Sequence, residues 1–146
     1  MVQDTDPRRF VRVRRHIRWI VKHIAFDRGG GAEYIAQTRA CNIEFREPDS
    51  DSDYPYWIAW YASVLVHEAT HGVINSRGIP YSPEMRVRIE RLCVTEQNRF
   101  LRVLARSDPE TAAHLHREFD ESRWYSSWHA TFGQRLSEIF RAFRSK

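Results

Sequence analysis

Cysteine is scarce in this 146-residue chain, which carries only Cys41 and Cys93. Two thiols cannot build the dense disulfide frame of small secreted domains, so a reduced compartment is the expected setting. Lysine is scarce too: all but two of the 23 basic residues are arginine. No long hydrophobic run is present. The longest largely apolar stretch, Tyr54 to Val66, falls short of the roughly 20 residues that a bilayer-spanning helix needs. No secretory leader reads at the N-terminus, where Arg8, Arg9, Arg12, Arg14 and Arg15 interrupt the first apolar residues. The expectation is a soluble, cytoplasmic protein without a membrane span.

Two further absences exclude familiar ligand loops. Gly29-Gly30-Gly31 is not followed by Lys-Ser/Thr, so it is no phosphate loop and reads as a connection. Asp49-Ser50-Asp51-Ser52-Asp53 has the opening of a calcium loop, but Tyr54 stands at the sixth position and Trp60 at the twelfth. Those positions require Gly and Glu, so an EF-hand is excluded.

What is present is an ordinary globular composition: 42% hydrophobic, 29% charged and 13% aromatic, with five Trp. That suffices for one packed domain over residues 1–146, with no room for a separate substrate domain. The formal net charge of +4 aids solubility and attraction to acidic partners without identifying one. Phe10, Val13, Ile17, Ile20, Val21 and Ile24 recur at helical spacing, predicting an amphipathic helix from about Pro7 to Phe26. Its opposite face, with Arg8, Arg9, Arg12, Arg14, Arg15, Arg18 and Lys22, could hold phosphates or an anionic membrane surface. A solvated face is the commoner meaning of such a run, and nucleic acid is not the expected partner.

From about Tyr34 to Arg46 the β-formers Ile35, Cys41, Ile43 and Phe45 share an alternating face, predicting a strand or hairpin. A helix is expected from about Tyr56 to Ser76, stopped at Arg77-Gly78, where glycine suits the left-handed position after a helix. Ser82-Pro83-Glu84 opens the next, running to about Arg106. Ser107-Asp108-Pro109-Glu110 opens a third long helical region, and a last helix spans about Ser127 to Phe143. The expected fold class is α+β, mostly α, with a short β element before the central helix.

That helix contains His67-Glu68-Ala69-Thr70-His71. Two histidines four residues apart on a helix lie on one face, their Cβ atoms about 5–6 Å apart, so both imidazoles can reach one metal ion. A glutamate directly after the first histidine can take a proton from a metal-bound water acidified to a pKa of about 7. The flanking Val64, Leu65, Val66, Ala69, Thr70, Gly72 and Val73 carry no charge. Two histidines and a glutamate on such a helix could be hydrogen-bonded core residues, but burying them without a metal is costly.

The segment Val64 to Val73 closely resembles the consensus of the zincin metallopeptidases, the HExxH family. The resemblance is strong over about ten residues and loose over the two helices from Tyr56 to Arg106. It implies a minimal zincin-like domain that hydrolyses a peptide bond. In that reading a Zn2+ ion is held by His67 and His71, Glu68 activates the zinc-bound water, and a peptide or protein is the substrate. It also implies a strand edge beside the metal that pairs with extended substrate, for which the segment Tyr34 to Phe45 is the expected source. The branch with a third histidine is excluded, since Ile74 and Arg77 stand where its Gly and His belong. The gluzincin branch supplies a glutamate from a downstream helix, which leaves Glu90 and Glu96.

Both glutamates interrupt the apolar arc formed by Val87, Ile89, Leu92, Cys93, Val94, Phe100 and Leu101. Glu90 lies nearer its centre, beside Cys93, Val94 and Gln97, and is the expected ligand. Val94, however, occupies the position where thermolysin-like enzymes have Asp. The run Glu96-Gln97-Asn98 also loosely resembles a Glu-Ala-Asn segment of a regulatory HExxH family. The glutamate that is not the ligand would orient a histidine or pair with an arginine. Cys93 reads as core, though it stands one turn from Glu90. Tyr81, His114, His116, Tyr125 and His129 are the chemically suitable oxyanion-stabilising groups, with His129 preferred. The rival function is a non-catalytic, zinc-stabilised interaction or regulatory module. Retention of Glu68 argues against it, because a purely structural site has no use for that residue.

Overall fold

The computed structural model describes residues 1–23, 31–45 and 48–122. A helical turn, α1 (Val2–Thr5), precedes α2 (Pro7–His16), β1 (Trp19–His23), β2 (Ala32–Ile35) and β3 (Ala40–Glu44). A short 3-10 turn at Asp51–Asp53 then leads into α3 (Tyr54–Ser76), α4 (Pro83–Leu104) and α5 (Pro109–Leu115). The fold is α+β and mostly α, as the sequence implies.

The first long helix is shorter than its periodicity predicts. Asp6 caps α2 by accepting from the Arg9 amide at 3.1 Å, and Pro7 fixes the first turn. The chain leaves the helix at Ile17, whose backbone is extended (φ −105°, ψ 116°). Residues 19–23 form a strand parallel to β3, with Trp19 opposite Ala40 and Ile20 opposite Cys41. Ile17, Ile20 and Val21 satisfy a helical period and a strand propensity equally well, and the long-range pairing with β3 decides between them. Trp19, Ile20 and Val21 are exposed on this strand, so they are not the core face of a helix.

The sheet order is β1-β3-β2, with β2 antiparallel to β3. The expected hairpin is present, but its two arms do not continue one alternating face. A turn over residues 36–39 resets the phase, so Tyr34 pairs with Cys41 and Ile35 with Ala40. Central β3 is buried along most of its length. Cys41 and Ile43 meet Val13, Ile17, Val66, Ala69, Phe100 and Leu101 in the main core between sheet and helices.

The 23-residue α3 is the spine of the molecule. It ends as expected: Gly78 takes φ 72°, and its amide reaches the Asn75 carbonyl at 2.9 Å. Ser82 in extended backbone and Pro83 then start α4, which packs back along α3. The third helical region is short. α5 is capped by Asp108, which accepts from the Thr111 amide at 3.0 Å, and it stops at Leu115 because Asn98 of α4 captures the next backbone. The Asn98 amide donates to the Arg117 carbonyl at 2.6 Å, and the Arg117 amide donates back at 3.2 Å. The helix expected from Ser127 to Phe143 lies outside the described residues. No helix among the described residues is long and apolar enough to cross a membrane.

Candidate metal centre

α3 presents Ser63, His67 and His71 toward α4 on successive turns, with Glu68 next to His67, and all but the partly exposed His71 are buried. Successive turns of one helix stack these side chains, so the two imidazole rings stand 5.2 Å apart. From α4, Glu90 reaches into the same place. Its carboxylate lies 3.2 Å from His67 Nε2 and 3.5 Å from His71 Nε2. Two ring nitrogens from one helix and a carboxylate from the next therefore converge on one point. Donor atoms around a tetrahedral zinc with bonds of about 2.0–2.1 Å are separated by roughly 3.4 Å, which matches this spacing. The donor set fits zinc chemically as well as in spacing.

The orientation of His67 is fixed from behind. Ser63 donates its only hydroxyl proton to the Trp60 carbonyl at 2.8 Å, so its oxygen is left to accept from Gln97 Nε2 at 3.1 Å. The Gln97 carbonyl oxygen consequently faces His67 Nδ1, at 3.2 Å, and Nδ1 is the donor. In a neutral imidazole this makes Nε2 a lone pair aimed at the Glu90 carboxylate. Two acceptors at that distance call for a proton or a cation between them. Neither Gln97 nor Ser63 is among the residues that the sequence pattern marks as site residues, although Ser63 precedes His67 by one helical turn and Gln97 follows Glu90 by two.

The charges respond accordingly. Burial alone would raise the Glu90 carboxyl, but the two histidines beside it, His67 and His71, hold it well below the usual carboxylate range. Burial opposes the charged form of His71, but its hydrogen bond to Glu90 and the negative charges of Glu68 and Glu90 together outweigh that and raise it. Glu68 is pushed up by burial, against the pull of His67 and His71.

Glu96 is elsewhere. Its carboxylate accepts from Arg9 at 3.1 Å and from Arg12 at 2.8 Å, and it also pairs with Arg99. It thus ties α4 to α2, and two of the N-terminal arginines are engaged inside the molecule.

The histidines and Glu68 form part of the wall of a cavity of about 1010 Å³, completed by residues 31–34 of the sheet, Tyr81, Glu90 and residues 116–118. β2 is the sheet edge on this wall. Of the segment Tyr34 to Phe45 only Tyr34 and Ile35 belong to this edge; residues 36–39 turn, and Ala40–Glu44 form β3, which is paired on both sides by β2 and β1. Among the suggested oxyanion groups that are described, Tyr81 touches the donors directly. Its hydroxyl donates to Glu90 Oε1 at 2.6 Å, and its ring meets His71 edge-on. His116 lines the cavity. His114 instead has its Nδ1 2.9 Å from the Glu110 carbonyl, within its own helix. Tyr125 and the preferred His129 lie outside the described residues. Comparison with known proteins gives no matching family model, no matching curated protein and no matching solved structure.

Proposed function

We propose that this chain is a zinc-dependent metallopeptidase of zincin-like design. His67, His71 and Glu90 hold the ion, and Glu68 serves as the catalytic base. The observation that carries the reading is the convergence of two imidazole nitrogens on one buried carboxylate, with His67 locked by Gln97 in the tautomer that a ligand needs. Bound zinc supplies Lewis acidity, polarising a carbonyl and acidifying water. The protein supplies the rest. Glu68, on the cavity wall beside the ligands, takes the proton from the attacking water and passes it to the departing amine. Tyr81 or His116 donates to the oxyanion that develops on the scissile carbonyl. The edge of β2 offers backbone groups to an extended peptide, aligning it along the cavity.

A zinc-stabilised module without activity is the second reading, favoured by the closeness of a further donor, Cys93, to the two histidines. The deciding experiment measures zinc per chain and hydrolysis of unstructured peptides for wild type, Glu68→Gln and Glu90→Ala, with circular dichroism to confirm folding. About one zinc per chain in wild type and Glu68→Gln is expected, with zinc held more weakly in Glu90→Ala. Hydrolysis by wild type alone then establishes the peptidase. Zinc without hydrolysis supports the second reading, and a folded wild type that takes up no zinc on reconstitution overturns both.

A further inference from the structure

We infer that the buried Cys93 thiolate is a ligand to the metal held by His67 and His71. This rests on the metal-site reading above and extends it to a donor that the zincin resemblance does not supply. Cys93 stands one turn beyond Glu90 on α4 and is fully buried, packed with Ile74 and Ile89. Its sulfur and one nitrogen from each of His67 and His71 all lie within 4.8 Å of one another. Donors on a tetrahedral zinc sit roughly 3.4 Å apart, slightly more where sulfur with its bond of about 2.3 Å takes part. Small side-chain adjustments suffice to bring the three atoms onto one ion.

The position of Cys93 gives the site a shape. Glu68, His67, His71 and Glu90 line the cavity, whereas Cys93 does not. The thiolate would therefore bind from the closed side of the centre, leaving the cavity side to exchangeable groups. Four protein donors close a zinc site, so water enters only where one of them gives way. Glu90 is the donor with another partner at hand, because Tyr81 already holds its Oε1. The donor set also becomes softer, which favours zinc or cobalt over magnesium or manganese.

The test is cobalt substitution followed by absorption spectroscopy of wild type, Cys93→Ser and Cys41→Ser. Wild type loaded with Co2+ is expected to show an intense near-ultraviolet sulfur-to-cobalt charge-transfer band. That band should persist in Cys41→Ser and vanish in Cys93→Ser, while the visible bands of bound cobalt remain. Visible bands in wild type without the charge-transfer band overturn the ligand assignment and leave the His67–His71–Glu90 site standing. A band lost in Cys41→Ser rather than Cys93→Ser overturns it equally. Folded wild type that binds no cobalt and no zinc overturns the metal reading itself. Should Cys93→Ser fail to fold, the presence or absence of the band in wild type and Cys41→Ser decides.

Discussion

The side-chain oxygen of Gln97 accepts a hydrogen bond from His67 Nδ1 at 3.2 Å. A residue two turns beyond Glu90 thereby governs which nitrogen of His67 carries the lone pair that a cation would use. Partners that fix the far side of a ligand histidine typically matter about 10–100-fold in metal affinity. Replacing Gln97 with Leu puts an apolar side chain of comparable size in its place and removes the acceptor. Zinc affinity, measured by competition with a chromogenic chelator, should fall by about that factor. Unchanged affinity in a folded variant would show that the amide orients nothing.

Glu96 is expected to matter for acid stability and not for zinc content. Burial raises its carboxyl, but hydrogen bonds from Arg12 and Arg99 and the nearby Arg9 win and hold it low. Asp6 behaves likewise, with burial outweighed by its bonds to Arg9. A carboxyl lowered on folding contributes stability that is present above the ordinary range of about 4 and lost as pH falls through the lowered value. Urea midpoints taken from about pH 7 to about pH 3 should drop in wild type. In Glu96→Gln they should start lower and change less, with zinc per chain unaltered. Parallel curves for the two proteins would contradict the argument.

Gly72 lies where α2 and the sheet meet α3. A Cβ placed there would stand 2.7 Å from His16 Cβ and 3.2 Å from the Tyr34 ring and hydroxyl. His16 Cβ is attached directly to backbone and cannot rotate aside, so α2 itself must move. Alanine returns about 1 kcal/mol of helix propensity, against an overpacking cost of about 1–3 kcal/mol. Gly72→Ala is therefore expected to destabilise by roughly 1 kcal/mol net in urea unfolding. A more stable variant would mean that the α2–α3 packing yields easily.

Tyr81→Phe separates binding from chemistry. The ring contact with His71 survives, while the hydroxyl that donates to Glu90 is lost. If Tyr81 is the oxyanion donor, kcat on a peptide substrate should fall about 10²–10³-fold while zinc content stays at the wild-type level. A kcat within a few-fold of wild type would remove Tyr81 from the role and make substitution of His116 the next informative test.

Much of the α-helical frame was legible because its signals are local. Gly78 after α3 and Ser82-Pro83 before α4 each mark a boundary through a backbone preference that acts at one position. The placement of Glu90 followed from helical projection, since its side chain shares an arc with Cys93, Val94 and Gln97. The strand at Trp19–His23 was not legible. Its branched residues satisfy two periods, and the parallel pairing with β3 that resolves the ambiguity joins residues far apart in the chain. The partners of Glu96 were only partly legible: an arginine was an expected partner and Arg99 lies one turn along the same helix, but only the docking of α2 brings Arg9 and Arg12 to meet it. Gln97 was visible as a neighbour of Glu90, yet its role depends on the Ser63–Trp60 link that sets the direction of its amide.

The two long helices are joined by only six residues, 77–82, and donors for the proposed ion come from both. A cation gripped by His67 and His71 on one side and Glu90 on the other would act as a reversible staple across that connection. Because the ion would bind the folded arrangement and not the unfolded chain, its contribution would grow with free metal by mass action. The thermal midpoint should therefore rise with zinc concentration and fall on chelation. α4 would be the element that loosens first when the ion is withdrawn, since it has fewer ties to the sheet than α3.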